Sequence, residues 1–207
     1  MVTGLQRCKG KRQGHSLQGP DPGPACGRIL SLRNRQQTRD VHLRLLRRIV
    51  QALLEETGRD GHYDLAIYLL AAPEMTRLNE AFLRHKGSTD VITFDYAERV
   101  GQASRLSSSG TTVGRTEDRR DPCPTLLHGE IFVCLDEAVC QARRFHTTWQ
   151  SELVRYIVHG VLHLLGYDDR NSRARRRMKA AEDALVRRLA RQFAFRALSR
   201  SRTVTRS

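Results

Sequence analysis

From Arg28 to Phe193 the chain alternates short apolar runs of strand character with segments whose apolar residues recur at helical spacing. This alternation constrains the fold more than any other feature. Residues 28–34 read as a first strand. Asp40 suits an N-cap, and after it Leu45, Leu46, Ile49, Val50, Leu53 and Leu54 line one helical face up to Gly58. Tyr63 to Leu70 is a second strand. Pro73 opens a second helix carried by Met75, Leu78 and Phe82. Val91 to Phe94 and Glu130 to Leu135 complete four strands. Asp136 suits the cap of a short helix ending near Phe145. Thr147 or Thr148 caps the next helix, which runs to about Leu165 and stops at Gly166. A last helix starts after Asn171 and Ser172, with the stripe Met178, Ala181, Leu185, Leu189 and Phe193. The expectation is one compact α/β (α+β) domain, with a mixed sheet of about four strands and four to five helices.

Three segments fall outside this pattern. Residues 1–27 hold Gly, Pro, Gln and basic side chains without periodicity, and read as a disordered basic leader. Residues 97–127 are rich in Ser, Thr, Gly, Arg and Pro and read as a disordered insertion. Residues 197–207 read as a basic tail, which leaves 28–196 as the domain. No apolar run is long enough to span a membrane, and the first 27 residues lack the apolar core of a secretory signal. The five Cys form no close C-x-x-C pair, so neither a disulfide framework nor a Cys zinc ribbon is expected, and a reducing cytoplasm is the simplest setting.

Charge is distributed unevenly. Residues 1–48 carry 11 basic and 2 acidic side chains, and 170–207 carry 13 and 2. Residues 49–169 carry 12 and 18, so an acidic body lies between two basic arms. That distribution fits a polyanion partner, nucleic acid above all. Aromatic residues do not interleave with the arms, so base stacking along them is not expected.

The stretch with chemistry runs from His159 to Asp169. Residues four apart on a helix share a face, so His159 and His163 project side by side and can bind one metal ion. Gly166 ends the helix and lets the chain turn back, which brings Asp169 or Asp168 into range as a third ligand. Two His and one carboxylate leave an open coordination position, as catalytic sites do. In the metalloprotease signature a Glu follows the first His and serves as base. Here that position is Gly160, which argues against peptidase chemistry of that kind.

His159-Gly-Val-Leu-His163-Leu-Leu-Gly166-Tyr167-Asp168-Asp169 resembles the H-G-x-L-H-L-x-G-Y-D-H signature of the YbeY family of rRNA maturation factors. Leu78-Asn79-Glu80-Ala81-Phe82, followed by Thr89-Asp90-Val91-Ile92-Thr93-Phe94, is similar to that family's L-N-x-x-[FY] … T-D-V-[LI]-[ST]-F block. Gly129-Glu130-Ile131 is similar to its G-[DE]-I strand start, and Met178 and Glu182 fall where the family often shows Met and Glu. The likeness covers about residues 28–190.

The resemblance implies a single-domain, metal-dependent endoribonuclease acting on single-stranded RNA in rRNA maturation, ribosome assembly and quality control. It implies the small ribosomal subunit as partner. Zinc is the expected divalent ion, held by His159, His163 and Asp169. Asp169 stands where the family usually has a third His, which makes the site harder and other divalent ions more plausible. The family's Arg four residues after the block's Asn is replaced by Leu83, with Arg84 one step later. Arg84 and Arg155 are the candidates for neutralising phosphoryl charge. A non-catalytic RNA-binding assembly factor with a structural metal, and a metal-dependent hydrolase of another substrate, are the rival readings.

Overall fold

The computed structural model describes Gly4 and Leu5 by their backbone pairing, and residues 27–58, 63–97 and 127–199 in full. The strands are β1 (Gly4–Leu5), β2 (Arg28–Asn34), β3 (Tyr63–Leu70), β4 (Val91–Asp95) and β5 (Leu127–Cys134). The helices are α1 (Leu43–Glu56), α2 (Ala72–Leu78), α3 (Leu135–Arg144), α4 (Trp149–Leu164) and α5 (Ser172–Gln192). A π turn (Asn79–Leu83) extends α2, and a 3-10 turn (Phe195–Leu198) follows α5.

The strands form one mixed sheet in the order β1-β4-β5-β3-β2. β2, β3 and β5 run parallel, while β4 is antiparallel to β5. The four longer strands are those read from the sequence. The two-residue β1 lies within the segment read as a leader and pairs with Ile92 and Thr93. Most of that leader, and nearly all of the 97–127 insertion, lie outside the described residues. β5 begins at Leu127, three residues before the expected start.

Alternation along each strand divides the core in two. Leu65, Ile67, Val91, Ile131 and Val133 join α1, α3, α4 and α5 in the larger cluster. Ile92, Phe94 and Cys134 face the other way and pack with Met75 of α2. The larger cluster explains α4. A helix that is apolar nearly all round must be interior, and α4 buries Leu153, Val154, Ile157, Val158, Val161 and Leu162. Gly160 lets it approach the sheet. A Cβ there would lie 2.7 Å from Ile131 Cγ2 and 3.1 Å from Thr93 Oγ1.

Two expected caps differ. His42 rather than Asp40 caps α1, its Nδ1 accepting from the Leu45 amide at 3.1 Å. Asp136 lies in the first turn of α3 and does not cap it; its carboxylate accepts from the Ala72 amide at 2.6 Å and from Thr38. These tertiary donors recruit the carboxylate away from local capping. The domain also runs three residues further than expected. Leu198 is fully buried, and Ser199 bridges to Val41.

Candidate metal centre

The site is built where α4 hands over to α5. Thr148 caps α4, accepting from the Ser151 amide at 3.2 Å. At the far end the Tyr167 amide bonds the Leu162 carbonyl at 3.0 Å, and the Gly166 amide bonds His163 at 2.9 Å. This six-to-one, five-to-two pair is the Schellman closure, which needs a left-handed residue. Gly166 supplies it with φ +88°. The chain therefore reverses within a few residues, and Asn171 caps α5 through the Ala174 amide at 2.9 Å. The reversal brings Asp169 back against the two imidazoles.

The ligand atoms of His159, His163 and Asp169 lie within 4.8 Å of one another. The two Asp residues separate cleanly. Asp169 is 8% exposed. Asp168 turns outward to Arg170, with its carboxylate 2.8 Å from Nε, and that contact holds its pKa below the ordinary value. His159 and His163 meet at 81° with their Nε2 atoms 3.0 Å apart.

The second ring nitrogens determine what that contact means. His159 Nδ1 lies 3.0 Å from a Glu182 carboxylate oxygen. His163 Nδ1 lies 3.2 Å from the Tyr167 carbonyl. Both partners are acceptors, so both Nδ1 atoms carry the hydrogen, a tautomer assignment that follows from the network. Two Nε2 lone pairs then face each other, an arrangement that calls for a cation between them. Burial, and then His159 beside it, push the His163 pKa below its ordinary value, so His163 favours the neutral form. A tetrahedral ion with bonds of ~2.05 Å would set the nitrogens about 3.3 Å apart, a few tenths of an ångström from the separation present. The residues therefore fit a divalent ion.

Glu182 is the residue that spacing missed as part of the centre. It is 5% exposed and sits in the buried stripe between Met178 and Leu185. A carboxylate within an apolar stripe was the available signal. Arg155 and Lys179 donate to its other oxygen at 2.6 and 2.9 Å. Burial opposes its charge, but the hydrogen bonds from His159, Lys179 and Arg155 prevail and lower its pKa to about 2.

A cavity of about 540 Å³ opens beside His159 and Asp169. Arg155 is in its wall, as expected from its place one turn before His159. Its charge is committed, however, to Glu182 and Asp183, each 2.6 Å away, with Glu152 at 3.9 Å. The exposed cations Arg170, Arg175 and Lys179 also border the cavity. Asp90 also lines the cavity, its Oδ1 accepting from the Val91 amide and Thr89 hydroxyl at 3.1 Å. Tyr156, also in the wall, holds a hydroxyl that, of the buried side-chain nitrogen and oxygen atoms among the described residues, is the one without a hydrogen-bond partner.

Arg84 is not among the residues that line this cavity. It is exposed at the left-handed end of the π turn, with φ 55°. A π turn holds one more residue than an α turn. Arg84 is the fifth residue after Asn79 and closes that turn. Gly160, where a metalloprotease has its base, is pressed onto the sheet and leaves no room for an acid.

The fold and the site together define a class: a single α/β domain carrying a largely buried two-His, one-carboxylate group beside a cation-bordered cavity. The family model described as endoribonuclease YbeY matches residues 31–190. A Salinibacter ruber protein named endoribonuclease YbeY is 30% identical over 154 residues, 74% of this chain and 87% of the relative. A Chlorobium phaeovibrioides protein of the same name is 34% identical over 142 residues, 69% of this chain and 78% of the relative. The solution structure of a Thermotoga maritima protein shares the fold at 23% identity, with a TM-score of 0.53 over 86% of this chain and all of that one. The chain belongs to the endoribonuclease YbeY family.

Proposed function

We propose that the protein is a metal-dependent endoribonuclease that cleaves single-stranded RNA in rRNA maturation and ribosome assembly, with zinc as the resident ion. His159 Nε2, His163 Nε2 and an Asp169 oxygen hold it. The observation that carries this reading is the pair of facing Nε2 lone pairs, each fixed by an acceptor on the opposite ring nitrogen. The curated relatives' shared name supports the reaction class. When bound, the ion polarises a phosphoryl oxygen and lowers the pKa of a coordinated water.

The chain's own residues position that chemistry. Glu182 keeps the hydrogen on His159 Nδ1 and so leaves Nε2 free to ligate. The Tyr167 carbonyl does the same for His163. Asp90 borders the space where a phosphodiester would sit. Arg155 and Lys179 both brace Glu182 and Asp183, and Arg170 pairs with Asp168, so phosphate charge at the border is met mainly by Arg175. The +14 net charge favours a polyanion partner; the family resemblance makes that partner rRNA of the small ribosomal subunit, and the proposed place of work is the cytoplasm. No helix among the described residues is long and apolar enough to cross a membrane.

Elemental analysis of the wild type, His163→Ala and Asp169→Ala, with cleavage of a structured rRNA fragment, tests this. About one equivalent of metal, lost in both variants together with cleavage, is the expected result. Wild-type protein prepared without chelators that holds no metal would overturn it.

A further inference from the structure

We infer that the first two turns of α5 form a track for the RNA phosphodiester backbone leading into the metal cavity; this rests on the nuclease reading and deepens it. Residues 170–179 hold six cations, Arg170, Arg173, Arg175, Arg176, Arg177 and Lys179, and no acid. All six are exposed. Their spacing sorts them by role. Arg175 and Lys179, four apart, share the helix face that carries Glu182, and both border the cavity. Arg173, Arg176 and Arg177 are three and four apart and occupy a neighbouring face. Neither an ion pair nor a side-chain hydrogen bond engages these three among the described residues.

The surroundings sharpen the contrast. Residues 49–169 carry a net charge of −6, while 170–207 carry +11. Arg155, also in the cavity wall, is held by three carboxylates. Arg175 spends only its Nε, on the Asp169 carbonyl at 3.2 Å. Lys179 is paired with Glu182 and Asp183, and Arg170 with Asp168; the positive charge that meets no carboxylate is that of Arg175 at the cavity border and of Arg173, Arg176 and Arg177 beyond it. Six residues of helix cover about 9 Å, so Arg173 to Lys179 form a continuous stripe. Residues 168–192 contain no aromatic side chain. The track can therefore grip phosphates but cannot stack bases, and binding along it is independent of sequence.

The test uses the full chain, zinc-loaded, and a fluorescent single-stranded RNA titrated at several KCl concentrations. The track variant is Arg173→Gln, Arg176→Gln and Arg177→Gln together. A control triple, Arg44→Gln, Arg187→Gln and Arg191→Gln, removes equal exposed charge elsewhere. Each phosphate contact on a single strand contributes about 0.7 to the salt slope. The track variant should lose about 2 units of slope and bind about 10- to 50-fold more weakly near 0.15 M salt. Its metal content should be unchanged, and the Arg→Lys triple should restore the slope. An unchanged slope, or an equal loss in the control triple, overturns the track. If the wild type itself neither binds nor cleaves RNA, the nuclease reading falls and the track with it; wild-type cleavage with an unchanged variant slope sinks the track alone.

Discussion

Glu182→Gln isolates the carboxylate that orients His159. Amide and carboxylate have nearly the same shape, so packing against Met178 and Leu185 is preserved. What changes is the hydrogen-bond pattern, and the structure decides how. Arg155 and Lys179 both donate to Oε1, at 2.6 and 2.9 Å, while His159 Nδ1 faces Oε2 at 3.0 Å. Two cations hold the amide oxygen on their side. The amide nitrogen, a donor, then faces His159 Nδ1. The imidazole answers by moving its hydrogen to Nε2, the atom that must ligate. Loss of a partner behind a ligating His costs roughly 10- to 100-fold in metal affinity, or about 1.4–2.8 kcal/mol. The forced tautomer places this variant near the upper end. Competition for added zinc against a chromophoric chelator at neutral pH measures the affinity of the proposed site directly. Asp183→Asn is the matched control, because Asp183 pairs with Arg155 and Lys179 but not with His159. It should change affinity by less than about threefold. Affinity in Glu182→Gln equal to wild type, or an equal loss in Asp183→Asn, would refute the orientation argument.

Two further outcomes test the packing that holds the site. Gly160→Ala gains about 1 kcal/mol of helix propensity but drives a Cβ to 2.7 Å from Ile131 Cγ2, an overpacking cost of about 1–3 kcal/mol. Thermal unfolding should show a net loss of up to ~2 kcal/mol, and a gain of about 1 kcal/mol would mean that α4 does not press on the sheet there. Tyr156→Phe removes a buried hydroxyl that has no partner, so the unfolding free energy from urea titration should rise or hold; a fall of more than about 1 kcal/mol would reveal a partner for that group.

Much of the centre was legible because it is local. His159 and His163 share a face through helical spacing alone, and Gly166 marks a left-handed turn by residue type. The same locality gave the four longer strands and five helices their places, since each carries its own apolar period. The boundaries that failed were those settled by distant partners: Asp136 serves Ala72 and Thr38 instead of capping its helix, and Leu198 is drawn into the core from a segment that reads as tail.

By itself the sequence determined the element types, the facing His pair, the turn that returns a carboxylate to it, and the concentration of positive charge after residue 169. Spacing left Asp168 and Asp169 both in range, and the tertiary structure turned Asp169 in and Asp168 out; it also set Glu182 behind His159 from 23 residues away, and neutralised Arg155 against Glu182 and Asp183. The physical reason is the range of the forces. Periodicity and turn chemistry act over a few residues, and so are written in the local pattern. A hydrogen-bond partner or a counter-ion is fixed by which surfaces pack together, and only the folded α4–α5 pair brings those groups within 3 Å.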